Sequence, residues 1–535
     1  MTATSLRFSL VGVLALAAPL AAQSRPKQAP LLTRAERTAY TETSRYDDVM
    51  AFVRAVTRGQ RRMRLTSFGY SFEGRSLPLV VVGNAGDASP DAVVRSGKLR
   101  VYIQANIHPG EAEGKEATLI LLRRLAQGRH ARWLDSLVLL VAPVFNPDGT
   151  ERVTLTSRPL QNGPVGGAGQ RANAQGLDLN RDFVKLETPE DRSQALFLDR
   201  YDPEVAVDLH TTDGTAHGYM LTYAEPLHPA TDTGIVGLVR RDWLPAVTGA
   251  VKAKDGWDLW FYGNSGGEPV DRGGGGSASG WYTFDHRPRF SENYWGLRNR
   301  AGILAETYSY ATFEDRVRVT VRFLEELLDY AWAHASRIRA ATLAADGHPI
   351  VGESLALRAQ LHRGGDVQVL LGDVTEERNP YTGQRMLRRL EAQHATPMPD
   401  YTTFEGSEFE RAPRAYLVPA TFGAVLDRLS VHGIRTTRLP APLVVATERF
   451  RIDSTWTTER PFQNHRERTV RGAWEEVRDT LPAGTVVVPV AQPLGRLVFV
   501  LLEPRSDDGL LDWNFFDEAL AGARWYPVRR TFAAF

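Results

Sequence analysis

The chain has 535 residues, 43% of them hydrophobic and 24% charged, with 64 Lys and Arg against 63 Asp and Glu. This composition excludes a disordered, collagen-like or coiled-coil chain, and the net charge of +1 gives no global field that would attract nucleic acid or an acidic membrane. Cysteine is absent, which excludes disulfides, thiolate metal sites and a cysteine nucleophile, so any metal must be held by His, Asp or Glu.

Residues 1–22 have the pattern of a secretory signal peptide. Arg7 precedes an apolar run from Phe8 to Leu20, and small residues follow up to Ala22. The run is too short to span a bilayer, and no later stretch has about 18 uncharged apolar residues. We expect cleavage near Ala22 and a secreted or periplasmic protein whose mature chain has no membrane span. An N-terminal core helix is the alternative.

Apolar runs and helical spacings alternate over the first 345 residues. The predicted strands are 77–82, 98–107, 136–144, 204–209 and 303–307. The predicted helices are 46–56, 111–126, 234–251 and 313 to about 341. Strands that alternate with helices indicate an α/β sheet covered on both faces. The glycine-rich stretch 263–280 is predicted to be a surface loop.

After residue 345 the pattern changes to short elements separated by Gly and Pro. The predicted strands are 367–371, 415–417, 485–490 and 497–502, and the predicted helix is 422–432. We therefore predict one domain over 23–345 and a smaller mixed α/β accessory domain over 346–535. Two roles stay open for this second domain: packing and stabilisation, or docking to a substrate or a cell wall.

Two histidines are predicted at strand ends, where open α/β sheets place ligands. His108 ends one strand and is followed by Glu111 at the start of a helix, so both could turn toward one point. His210 ends another apolar strand. Two His and one Glu match the three protein ligands of catalytic zinc, whose fourth position stays open for water. The alternatives are that Glu111 suits the first helical turn electrostatically and that His210 only caps its strand.

Two further features suit a hydrolytic site. Glu306 lies at the end of an apolar strand, where a buried carboxylate is costly unless it is paired or functional, and near a metal it could act as a base. Asn180 and Arg181 place an amide beside a guanidinium, which suits a carboxylate ligand. A surface ion pair is the alternative for this second feature.

Taken together, these motifs resemble the zinc carboxypeptidase family of the carboxypeptidase A type. His-x-x-Glu, Asp-x-Asn-Arg, a strand-end His and a strand-end Glu occur here in that family's order. The S-x-E-G-R turn at 71–75 and the Asn-Pro-Asp-Gly run at 146–149 support the resemblance, which covers about residues 40 to 340. It implies an exported bacterial metallopeptidase with a mixed central sheet flanked by helices.

The resemblance also implies roles for individual residues. One zinc per chain would be bound by His108, Glu111 and His210, while Glu306 would be the general base and acid for a zinc-bound water. The substrate would be a peptide whose free C-terminal carboxylate is held by Asn180 and Arg181. The remaining assignments are Arg171, which would polarise the scissile carbonyl, and Asp178, which would orient a zinc-binding His.

Some positions depart from the family pattern. Arg171 lies only nine residues before Asn180, a spacing closer to that of bacterial peptidoglycan-peptide amidases of the same fold. The family's mobile tyrosine has two candidates, Tyr282 and Tyr294, of which we prefer Tyr282 as a substrate-binding residue. A rival serine-hydrolase motif around Ser265 is followed by Pro and Gly residues, which exclude the helix that such a motif needs.

Three functions are therefore compared. The first is a secreted zinc metallocarboxypeptidase, a hydrolase that cleaves a C-terminal peptide bond. The second is a zinc amidase or endopeptidase that acts on cell-wall peptides, and the third is an inactive metal-binding module. The presence of Glu306 argues against the third function, and Arg181 favours substrates with a free carboxylate.

Overall fold

The computed structural model describes residues 1–2, 31–83, 87–266 and 279–534. The predicted signal peptide, apart from its first two residues, and most of the glycine-rich stretch lie outside the described residues. Leu32–Phe535 forms one compact unit. Among the described helices, none combines the length and the apolar character needed to cross a bilayer.

The first part of the chain alternates strands and helices as predicted. Its strands are β1 (Met63–Tyr70), β2 (Ser76–Val82), β3 (Leu99–Ala105), β4 (Leu137–Ala142), β5 (Val205–Thr212), β6 (Leu221–Ala224), β7 (Leu259–Phe261), β8 (Asn264–Ser265), β9 (Trp281–Tyr282) and β10 (Ala301–Tyr308). Its helices are α1 (Arg34–Arg37), α2 (Tyr46–Thr57), α3 (Pro90–Arg95), α4 (Glu113–Ala126), α5 (Pro147–Glu151), α6 (Pro189–Tyr201), α7 (Thr233–Gly237), α8 (Leu244–Asp255), α9 (Ser291–Leu297), α10 (Phe313–Ala333) and α11 (Ala335–Gly347).

Eight of these strands form one mixed sheet in the order β1-β2-β4-β3-β5-β10-β6-β7. The central strands β4, β3, β5 and β10 run parallel, whereas β1, β2 and β6 join antiparallel. Every residue of β3, β4 and β5 is buried, as expected for parallel strands with both faces covered. The predicted mixed α/β architecture is confirmed. Parallel order also places the carboxyl ends of β3, β5 and β10 at one edge.

Strands of 2 to 17 residues that pair mainly antiparallel follow the end of α11, close to the predicted boundary at residue 345. They are β11 (Ser354–His362), β12 (Asp366–Arg378), β13 (Arg385–Tyr401), β14 (Thr403–Arg411), β15 (Ala415–Val418), β16 (Thr437–Arg438), β17 (Leu443–Thr457), β18 (Arg468–Leu481), β19 (Val486–Pro489) and β20 (Trp525–Thr531). The helices are α12 (Gly423–Val431), α13 (Gly495–Leu502) and α14 (Asp517–Leu520). The largest sheet of this part has six strands, in the order β16-β19-β15-β20-β17-β18.

One predicted strand of this C-terminal part is wrong. Residues 497–502 belong to the helix α13, and all eight residues of this helix are buried. A helix buried on all sides has no polar face, so its short apolar run has the same pattern as a buried strand. The long strands β13, β17 and β18 were not predicted, because most of their residues are only partly buried or exposed and many are charged.

His217, His228 and His286 lie between the named helices and strands, and all three are buried. The ring of His217 lies against aromatic rings, 4.0 Å from Tyr308 between ring centroids. Burial lowers the pKa of His217 to about 3, and the nearby Arg389 adds to this effect. The native state therefore holds His217 neutral at pH values where an unfolded chain would protonate it.

We predict that His217 makes the fold sensitive to acid. The folded pKa of about 3 lies below the unfolded value of about 6.5, so stability is fully present above pH 6.5 and is lost as the pH falls below it. Through His217 alone, lowering the pH from 7.5 to 5 should reduce the free energy of unfolding by about 2 kcal/mol. Over the same pH interval, the free energy of unfolding measured in urea should fall by about 2 kcal/mol less in His217→Phe than in the wild type. An equal loss in both proteins would contradict this account.

Candidate metal centre and catalytic cleft

Three buried side chains converge at the carboxyl edge of the central sheet. His108 and Glu111 lie in a tight turn between β3 and α4, in which the Glu111 N–H donates to the His108 carbonyl at 2.9 Å. His210 lies within β5, the neighbour of β3 in the sheet. Each residue offers one ligand atom, and these atoms lie within 4.8 Å of one another. The structure therefore brings the three predicted metal ligands together, although α4 begins two residues later than predicted.

The two histidines present the same ring nitrogen to Glu111. Nδ1 of His108 lies 3.2 Å from Oε1 of Glu111, and Nδ1 of His210 lies 2.9 Å from Oε2. Each Nε2 faces a second carboxylate instead: Asp178 Oδ1 at 2.9 Å from His108, and Asp208 Oδ2 at 3.0 Å from His210. Carboxylates behind the ring fix both histidines with Nδ1 directed to the centre, as in metal sites. Two imidazole nitrogens and one carboxylate fit zinc.

The local electrostatics keep Glu111 and Asp178 ionised. Burial alone would raise the pKa of Glu111, but His108 and Arg158 beside it hold the value well below the usual range. Burial likewise opposes ionisation of Asp178, and His108 and Arg171 outweigh it, so this pKa is also well below its usual range. The centre thus offers one charged carboxylate ligand, Glu111, with the charge of Asp178 behind His108, and both favour a cation.

Glu306 lies on β10 directly beside His210, because the two residues are partners in parallel register. Its Oε2 is buried and has no hydrogen-bond partner among the described residues. Burial raises the pKa of Glu306 to about 8, with Glu111 adding to the shift and His210 opposing it. A cation bound beside it would favour the carboxylate form, which can accept a proton.

One cavity of about 180 Å³ joins this centre to the predicted carboxylate-binding pair. Asn180 and Arg181 both line it. The Ser291 N–H donates to Oδ1 of Asn180 at 3.0 Å, which leaves the Asn180 amide N–H groups to donate elsewhere. The Arg181 guanidinium carbon lies 4.0 Å from the centre of the Phe290 ring. The cavity therefore contains both a candidate metal centre and cationic and amide donors for an anion.

Arg171 also lines the cavity, on the side of the metal centre. Its Nε donates to Asp178 Oδ2 at 2.9 Å, and its Nη1 lies 3.4 Å from Glu111 Oε1. Nearly half of its side chain stays accessible, at 46%. The guanidinium is held in place yet open to a ligand in the cavity.

Tyr282 is not among the residues that line this cavity. It lies in β9, where its ring stacks on Tyr401 with centroids 4.5 Å apart. Tyr294 is buried, and its hydroxyl lies 2.8 Å from Nδ1 of His432. The tyrosine that lines the cavity is Tyr262, directly after β7. Burial, with Glu306 nearby, raises the pKa of its phenol to about 12, so it is a neutral donor at pH 7.

Three further residues of the site were not predicted from the sequence: Arg158, Asp208 and Glu292. Arg158 lines the cavity and donates to Glu111 Oε1 at 3.2 Å from a loop without a motif. Asp208 precedes His210 by two residues, and strand alternation, which puts both on one face, could have identified it. Glu292 lines the cavity, is fully buried, and has a pKa raised to about 8 by burial.

A protein-family model and several relatives match this chain. Residues 49–213 match the zinc carboxypeptidase family, a range that includes the three candidate ligands and ends before Glu306. Over 515 residues the chain is 25% identical to carboxypeptidase 2 of Trichophyton tonsurans, covering 91% of this chain and 86% of that protein. Carboxypeptidase D of Homo sapiens is 34% identical over 140 residues, which is 22% of this chain and 10% of that protein.

Among solved structures, a metallo-carboxypeptidase from Burkholderia cenocepacia is similar at 18% identity with a TM-score of 0.40, covering 55% of this chain and 70% of that one. The family match and the long relatives support a hydrolase of the zinc metallocarboxypeptidase type. The expected bacterial origin is not confirmed, since the relatives that match over most of the chain are fungal.

We predict that Asp208 strengthens metal binding without touching the metal. Asp208→Asn removes the charge behind His210, so zinc affinity should fall by about 10- to 100-fold in a chelator competition assay. Asp258→Asn is the control, because Asp258 pairs with Lys252 away from this centre and should not alter the affinity. Equal zinc affinity in wild type and Asp208→Asn would show that Asp208 does not support the ligand.

Proposed function

We propose that this zinc metallocarboxypeptidase-type hydrolase removes the C-terminal residue of peptides. One observation carries the proposal: a single cavity holds the His108, Glu111 and His210 cluster, the carboxylate of Glu306, and the pair Asn180 and Arg181. A peptide whose terminal carboxylate contacts the pair would present its last peptide bond to the opposite end of the cavity. This arrangement selects exopeptidase cleavage.

In this proposal His108, Glu111 and His210 hold one zinc ion per chain. When bound, zinc supplies a Lewis acid that polarises the scissile carbonyl and makes a water molecule more acidic. Glu306 accepts a proton from the water as its oxygen adds to the carbonyl carbon. It then gives this proton to the amide nitrogen, the C–N bond breaks, and the released amino acid leaves as the amine product.

Other residues in and around the cavity have separate roles in this proposal. Arg171 directs its guanidinium toward the carbonyl oxygen, where negative charge develops during addition. Asn180 and Arg181 bind the terminal carboxylate, since an arginine fork and an amide donor match its two oxygens. Asp178 and Asp208 keep the histidines oriented. Tyr262, a neutral phenol at the cavity, supplies a further donor to the bound peptide.

We place this activity outside the cytoplasm. The basis is the pattern of residues 1–22, with Arg7 before the apolar run that ends at Leu20. A chain without cysteine also cannot form incorrect disulfides under the oxidising conditions found there.

A second candidate uses the same centre for a different substrate. A zinc amidase or endopeptidase acting on cell-wall peptides would need the metal cluster and Glu306 but no free terminal carboxylate. The short spacing between Arg171 and Asn180 favours it. An inactive metal-binding module would not need Glu306, whose buried Oε2 has no hydrogen-bond partner among the described residues and is costly unless it is used.

We predict that Glu306 is a base and not a ligand. Glu306→Gln should keep zinc but lose at least about 100-fold in kcat, the lower range for a positioned acid–base group. The control is Glu225→Gln, another buried carboxyl, which pairs with Arg240 outside this cavity. Metal content and turnover on a peptide substrate are measured together. Loss of zinc would make Glu306 a ligand, and unchanged turnover would exclude it from the mechanism.

We predict that Arg181 confers the preference for a free C-terminus. Arg181→Ala should raise KM for free-acid peptides and lose most of the wild-type preference for free acid over C-terminal amide, a ratio that cancels general damage to the fold. Arg192→Ala, which disrupts a pair with Asp427, serves as the control. A wild type that cleaves both forms equally well would reject the exopeptidase proposal and favour the amidase or endopeptidase.

A further inference from the structure

One wall of the cavity is formed by the segment 284–292, here called the wall segment. It supports both residues of the proposed carboxylate-binding pair. The Phe290 ring lies against the Arg181 guanidinium, and the backbone N–H of Ser291 donates to the side-chain oxygen of Asn180. The orientation of the pair therefore depends on where this segment is held.

The wall segment is anchored by the C-terminal part of the chain. Arg289, which is 2% exposed, donates three hydrogen bonds to Asp508: from its backbone N–H at 2.7 Å, from Nε at 3.0 Å and from Nη2 at 2.8 Å. Its Nη2 also donates to Glu467. We call Glu467 and Asp508 the C-terminal clamp. A buried guanidinium held by two carboxylates has a fixed geometry.

The clamp is itself held rigidly. Asp508 has a φ of +141°, a region that residues other than glycine rarely adopt. The indole Nε1 of Trp513 donates at 2.8 Å to Oδ1 of Asp508, the oxygen that also accepts from Nε and Nη2 of Arg289. The Arg289 guanidinium carbon lies 4.6 Å from the centre of a Trp513 ring. Strained backbone of this kind persists where its surroundings determine it and is frequent near functional sites.

A second contact reaches the metal side of the cavity from the same part of the chain. Gln463, in the loop between β17 and β18, accepts a hydrogen bond from the backbone N–H of Asp178 at 2.9 Å. Asp178 in turn faces the Nε2 of His108. The C-terminal part thus contacts the supports of both halves of the site.

We propose that the C-terminal part is a component of the active site, in which the clamp positions the wall segment for recognition of the substrate's terminal carboxylate. This inference rests on the proposed carboxypeptidase function. Asp508 and Arg289 are positioning residues that act through Phe290 and Ser291, which hold Arg181 and Asn180. This role differs from packing, because loss of the clamp would weaken binding of the substrate's terminal carboxylate more than it would slow cleavage of the peptide bond.

The test is Asp508→Asn, which removes the charge but keeps the size of the side chain. Removing the charge of Asp508 leaves the positive charge of Arg289 less neutralised, which would by itself strengthen attraction for a carboxylate, so a rise in KM reports lost positioning and not lost charge. We expect KM for free-acid peptides to rise by about 10-fold and the preference for free acid over amide to fall by a similar factor, because small displacements of a binding group are costly. We expect kcat to change by less than about 3-fold, with zinc retained.

Glu503→Gln is the matched control. Glu503 is a buried carboxylate of the same C-terminal part, but its partners are Arg530, Tyr416 and Trp474, and it does not line the cavity. Glu503→Gln should lower the melting temperature, while the preference for free acid over amide stays as in wild type. If Asp508→Asn does not fold, Glu467→Gln tests the same clamp at a partly accessible position.

The outcomes separate the two proposals. If wild type prefers free acids and both clamp variants keep that preference, the clamp only stabilises the fold and the positioning role is wrong. An equal loss of preference in Glu503→Gln would also overturn it, since the effect would then follow general destabilisation. If wild type itself shows no preference, the carboxypeptidase proposal fails, and the positioning role fails with it.

Discussion

The buried carboxylate of Glu111, held between the Nδ1 atoms of two histidines, is the interaction on which the catalytic centre depends. The groups around it stabilise this buried carboxylate: Nδ1 of His108, Nδ1 of His210 and the Arg158 guanidinium all lie within 3.2 Å of its oxygens. The second ring nitrogen of each histidine is fixed by a further carboxylate. The resulting donor set has a cation as its natural complement.

The parallel sheet explains how residues far apart in the chain reach this carboxylate. β3, β5 and β10 are adjacent and parallel, so their carboxyl ends deliver His108, His210 and Glu306 to one edge. The register between β5 and β10 sets His210 beside Glu306. A base placed next to a metal ligand by backbone hydrogen bonds is held by a rigid element, which the proposed proton transfers require.

The sequence predicted the parts of the site that carry local signals. His108, His210 and Glu306 are predicted at the ends of apolar strands, and Asn180 with Arg181 forms a recognisable pair; in the structure all five residues line one cavity. Tyr262 was missed in favour of Tyr282, because nothing in the local sequence shows which of the two tyrosines lines the cavity. The contact between the clamp and Arg289 could not be predicted from local sequence patterns, since Arg289 and Asp508 are 219 residues apart. Likewise, α13 was predicted as a strand because a fully buried helix lacks a polar face.

The most direct test of the metal centre is an anomalous difference map recorded at the zinc absorption edge from crystals of zinc-loaded protein. We expect a single strong peak per chain, bounded by Nδ1 of His108, Nδ1 of His210 and the Glu111 carboxylate, with Glu306 nearby but outside the ligand set. A peak at other residues, or no peak in crystals of protein that cleaves peptides, would contradict this expectation.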